Sequence, residues 1–89
     1  MNKVIWKFPL KLTDIQDVLL PIGAQILSVA EQNGVICLWA IVNPEEEKAT
    51  RSIEIHGTGN DSFGPGSRTF LGTVVMNPFV WHVFEVSRF

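Results

Sequence analysis

Residues 24–44, AQILSVAEQNGVICLWAIVNP, carry the strongest local signal in the chain. Two apolar runs meet at Asn33-Gly34, the dipeptide best suited to a type I′ turn, where both central residues take positive φ. The pattern predicts a β-hairpin. Its second arm, residues 35–42, is apolar at every position. In an extended chain Val35, Cys37, Trp39 and Ile41 point one way, and Ile36, Leu38, Ala40 and Val42 the other. Such a strand has no polar side to turn to water, so it belongs in the centre of a sheet with both faces covered. No window shows a convincing 3.6-residue period, which leaves a second sheet or a second copy of the chain to provide the cover.

On the N-terminal side, VIWKFPLKL alternates with period two. Val4, Trp6, Phe8, Leu10 and Leu12 share one face, while Lys3, Lys7 and Lys11 share the other, as in a half-buried strand. Pro9 cannot donate to a ladder and places this strand at an edge, where lysines also discourage unwanted pairing. LTDIQDVLLP admits two readings. Thr13 and Gln16 have capping-box spacing, but the run ends at Pro21, which favours a turn leading into a strand over residues 17–20. PIG then makes a turn, with Gly23 free to take positive φ.

On the C-terminal side, NPEEEKATR reads as a solvated connection and SIEIHG as an alternating strand. A glycine-rich loop, HGTGNDSFGPGSR (residues 56–68), follows. RTFLGTVVM is a strand with Gly72 in its interior, a place for a bulge or a close backbone approach. FVWHVFEV closes the chain. About six or seven short strands with frequent turns predict an all-β domain: a small antiparallel sandwich or partly closed barrel spanning residues 1–89.

Bulk properties narrow the function. The 89 residues are 46% hydrophobic and 18% charged, with a net charge of −2. A charged fraction below the usual value of about 25% suggests that some apolar surface ends in an interface, so a homo-oligomer is expected. No basic face is present to hold nucleic acid in general. The longest apolar run is far shorter than the roughly 20 residues of a membrane helix, and no leader pattern is visible. The single cysteine, Cys37, lies in an apolar strand and reads as a buried thiol. A cytoplasmic protein is expected.

Chemistry-bearing groups are sparse. His56, His82 and Cys37 have no metal-ligand spacing, there is no nucleophile elbow, and no dinucleotide or Walker motif occurs. Neither an enzyme nor a bound cofactor or metal is expected. The glycine loop offers two readings: a flexible connection, or a cradle in which backbone N–H groups form an anion nest. In the second reading His56, Gly57, Thr58, Gly59 and Asn60 line the site, Arg68 clamps a phosphate and Phe63 stacks on a base. Trp6, Trp39 and Trp81 each alternate with aliphatics and read mainly as core. Ile36, Leu38, Trp39 and His82 are the expected interface positions, His82 because it lies opposite in parity to Trp81. Asp61, with His56 and His82, carries what remains of a catalytic reading.

The pieces VIWKFPL, PIGAQILSVAEQNGVICLWAIVNPE, IHGTG, FLGTVV and VWHVFE, in that order, resemble a small domain of unknown function found in tailed bacteriophages and prophages. The resemblance spans almost the whole chain and implies a phage origin and action inside the infected bacterium. It carries no catalytic residues across. By association it implies an accessory binding protein that counters a host defence system. Such a protein would either occlude a host protein, such as a nuclease or a CRISPR effector, or sequester a small phosphorylated, nucleotide-like signalling molecule. A minor virion or assembly component is the alternative.

Overall fold

The structure is a computed structural model that describes residues 2–60 and 63–87. Among these residues seven strands follow one another: β1 (Val4–Pro9), β2 (Ile15–Pro21), β3 (Gln25–Gln32), β4 (Val35–Val42), β5 (Lys48–Gly57), β6 (Ser67–Met76) and β7 (Phe79–Ser87). They form two antiparallel sheets, one in the order β1-β4-β3 and the other β2-β5-β7-β6. The fold is an all-β sandwich with open sheet edges rather than a closed barrel. Among the described residues no helix is long and apolar enough to cross a membrane.

The hairpin forms where its dipeptide places it. Asn33 has φ 52° and Gly34 φ 82°, the paired positive values of the mirror-image turn. β4 is the central strand of its sheet, flanked by β1 and β3. Its Ile36, Leu38, Ala40 and Val42 are buried and pack with Leu20, Ile53, Ile55, Val74 and Val83 of the second sheet. The chain therefore covers this face by itself, and Ile36 and Leu38 are core residues instead of interface residues. A hydrophobic side chain fully withdrawn from water contributes about 1.5–3 kcal/mol, and the second sheet supplies that withdrawal without a partner.

The opposite face of β4 differs from expectation. Cys37 is buried, held between Pro9 and Ala30 in register, but Trp39 and Ile41 are only half-buried and Val35 is exposed. A two-layer sandwich gives each sheet one inner face, so this side stays outward.

Local sequence features acquire particular uses. β1 lies at a sheet edge, as Pro9 requires, with Trp6 and Phe8 packed toward the core. Val4 and Leu12 share their parity yet are exposed; Leu12 falls beyond the strand end. Residues 15–21 form a strand, and the Thr13/Gln16 spacing staples a loop instead of capping a helix. Gln16 Nε2 donates to Lys11 O at 2.6 Å and to Thr13 Oγ1 at 3.2 Å, while Lys11 N donates to Gln16 Oε1 at 3.0 Å. Gly72 sits just past a register shift in β6. A Cβ there would stand 2.7 Å from Val29 Cγ2, so the missing side chain lets β6 approach β3 of the other sheet.

Candidate functional site

Alternation on the four-stranded sheet decides which polar groups meet. On β5, Ile53 and Ile55 turn inward, so Ser52, Glu54 and His56 turn outward. Register then sets Glu54 opposite Phe84 and His56 opposite His82 on β7, and Phe84 opposite Phe70 on β6. Arg68 enters the same face from the start of β6.

Arg68 makes four hydrogen bonds within its own neighbourhood. Its Nε and Nη2 donate to the two oxygens of Glu54 at 2.7 and 3.1 Å, and its Nη1 donates to Gly64 O at 3.1 Å and Gly66 O at 3.4 Å. His56 Nε2–H adds a further bond to Glu54 Oε1 at 2.8 Å. The hydrogen bond from Arg68 holds the Glu54 carboxyl below the ordinary glutamate value against the opposing effect of burial, with His56 assisting. The same bond raises the Arg68 guanidinium further above its already high value. Phe63 stacks on His56 at 4.3 Å between centroids, meets Phe84 edge-on at 5.7 Å, and lies 5.1 Å beneath the Arg68 guanidinium. These contacts strap the C-terminal half of the glycine loop to the sheet. The bidentate grip that an anion would need from Arg68 is held by Glu54, which is just 8% exposed.

The other half of the loop has a different environment. Gly57, Thr58 and Asn60 line an open cleft of about 490 Å³ together with Pro78, Phe79 and Trp81. That volume lies within the usual range of small-ligand pockets, roughly 300–1,000 Å³. A Cβ on Gly57 would stand 3.2 Å from Trp81 Cζ3, so glycine lets the backbone lie against the indole. Thr58 N donates to Val80 O at 3.1 Å, which fixes the loop to β7. Phe79 and Trp81 are stacked at 5.6 Å with 28° between their planes.

Between these regions, His82 is held by hydroxyls on both nitrogens: Thr58 Oγ1 at 2.8 Å from Nε2 and Thr73 Oγ1 at 3.0 Å from Nδ1. Hydroxyls can donate or accept, so the ring can hold either neutral tautomer here. Among the described residues, no group of three or more His, Cys, Asp or Glu side chains is placed to hold a metal ion.

The predicted ligand set is thus divided. His56, Phe63 and Arg68 join one another on the sheet face, whereas Gly57, Thr58 and Asn60 border the cleft; Gly59, at φ 95°, shapes the turn between them. Asp61 lies outside the described residues. Glu54, Pro78, Phe79 and Phe84 escaped sequence reasoning as site residues. The available signal for Glu54 was its shared parity with His56. The cleft had no such signal, because β5 and the β6–β7 turn come together only through pairing.

No curated protein and no solved structure matches the chain. Across residues 1–89, its whole length, the sequence matches the profile of a domain of unknown function, DUF7352, and the chain belongs to that family.

Proposed function

We propose that this chain is a non-enzymatic binding protein of phage origin that acts in the host bacterium by occluding a host protein, a component of a defence system. One observation carries the reading: on the outer face of the three-stranded sheet an apolar strip, Ile5, Trp39 and Ile41, is left partly open by the described residues, with Gln25, Ser28 and Gln32 of β3 beside it. Ile5 pairs with Ile41 and Lys7 with Trp39 across β1 and β4, while Pro9 pairs with Cys37. Ile5 is 60% exposed, and Val35 and Leu27 are also exposed. Lys7 crosses this surface, with its Nζ donating to Gln32 Oε1 at 2.7 Å. Contiguous apolar surface of this kind marks association sites in soluble proteins. The internal use of Arg68 by Glu54 favours this reading over capture of a phosphorylated ligand.

The test is a pair of measurements on the wild type and the double variant Ile5→Lys/Ile41→Lys. Light scattering reports self-association, and affinity purification from infected cells reports a stoichiometric host partner. Retention of a defined defence protein by the wild type and its loss in the variant supports the proposal. A monomer with no partner in either form overturns it. A wild-type oligomer that becomes monomeric in the variant assigns the face to a second copy instead.

A further inference from the structure

The end cleft is a second, separate opportunity, because it shares none of the residues of the apolar face. Its floor is the stacked pair Phe79 and Trp81, and its rim is the loop carrying Thr58 and Asn60. Phe79 is 58% exposed although its ring is stacked on Trp81 on one side. A large aromatic ring supported on one side and open on the other is a platform on which another flat ring can continue the stack.

The rim limits what that ring can be. The Thr58 hydroxyl is already bonded to His82. The Asn60 side-chain amide makes no hydrogen bond to a described residue, and it offers one donor group and one acceptor side by side. That pairing complements an edge carrying an acceptor next to an amino or imino donor, as on a nucleobase. A sugar ring, by contrast, needs several polar partners for its vicinal hydroxyls, and among the described residues of this rim Asn60 is the one polar side chain not already bonded to another described residue. Among the described residues lining the cleft, none is charged. The adjoining hollow, which shares Trp81, is lined by Asp14, Leu12, Thr13 and Ile55; its carboxylate repels a phosphate.

We infer that the cleft bounded by Phe79, Trp81 and Asn60 binds the uncharged nucleobase of a nucleoside, stacked on the open face of Phe79 and held at its edge by the Asn60 amide. The site favours a nucleoside over its phosphate. This differs from a phosphate-gripping cradle, because the loop's one arginine faces the other side and is committed to Glu54.

Adenosine, adenosine 5′-monophosphate and methyl glucoside are the probes, each titrated into ¹⁵N-labelled protein while the Trp81 indole and Asn60 amide signals are followed. Adenosine is expected to shift both signals saturably, and the monophosphate to bind more weakly. Phe79→Leu, at an exposed position, should leave the dispersed spectrum intact and weaken adenosine binding about tenfold, as expected for loss of one base–aromatic stack. Asn60→Ala should weaken it as well, with Trp81 still reporting the residual stack. Unmoved signals in a folded protein overturn the inference. So does tighter binding of the monophosphate, an equal response to methyl glucoside, or unchanged affinity in Phe79→Leu. Because neither variant touches Ile5 or Ile41, failure here leaves the protein-binding proposal standing, and the reverse holds too.

Discussion

On the outer face of the four-stranded sheet, Glu54, His56, Phe63 and Arg68 bond and stack with one another, whereas on the outer face of the three-stranded sheet Ile5, Trp39 and Ile41 lie side by side toward solvent. The first face carries the groups that look functional by residue type, and it satisfies them internally. The second carries ordinary aliphatic and aromatic side chains, and it leaves them uncovered. Residue chemistry therefore points to one side of the molecule while unspent interaction free energy lies on the other. A buried charge must find a partner to avoid its desolvation cost, and the chain provides that partner itself. Exposed apolar area has no such local remedy; only another surface removes it from water.

The largest expected effect tests the inner face that both outer faces depend on. Leu38→Ala should destabilise the fold by about 2–5 kcal/mol, read as a lowered denaturant midpoint, because Leu38 is fully buried and its removal leaves a cavity. A cost within about 0.5 kcal/mol, the range typical of surface positions, would mean that β4 does not separate an inner from an outer side.

Gly72→Ala comes next, at a cost of about 1–3 kcal/mol from overpacking, since the added methyl would meet Val29 Cγ2 across the sheets. Combining it with Val29→Ala should recover part of that loss in a double-mutant cycle. Strictly additive costs would show that the two sheets do not close through this pair.

The third test sharpens the claim that the polar face is self-satisfied. Glu54 has a folded-state pKa below its ordinary value, so its ion pair contributes stability above that value, and the contribution is lost as pH falls through the lower folded value. Stability measured from neutral pH down through the glutamate range, about 4 to 5 and below, should decline. Glu54→Gln should lower stability at neutral pH and flatten that acid limb. An unchanged limb would place the carboxylate outside the network. The smallest change in stability is expected on the apolar face: Ile5→Lys should stay within about 0.5 kcal/mol of wild type while reducing association. A large loss of stability there would mean that Ile5 is core and the contrast between the faces fails.

Much of the fold was legible because its signals are local. Asn33-Gly34 specified a turn through backbone φ, Pro9 specified an edge through its missing N–H, and period-two alternation specified strands. The capping-box spacing of Thr13 and Gln16 left a helical turn open while Pro21 favoured the strand that forms, because the same hydroxyl and amide can staple a loop as readily as a helix end. Arg68 was legible as a bidentate donor, yet its partner was not, since Glu54 stands on another strand and shares its face only through the register of β5, β7 and β6. Phe79 and Trp81 were legible as aromatic residues of a strand, and the cleft they floor was not, because its rim belongs to a loop some twenty residues earlier.

The sequence by itself determined an all-β chain, its central hairpin and the set of side chains able to share a face, because turn dihedrals and strand alternation depend only on neighbouring residues. The tertiary structure alone decided which face of β4 is dry and which stays partly open, and that Arg68 would answer Glu54. Those outcomes depend on how two sheets stack and in what register their strands pair, and these are contacts between residues far apart in the chain.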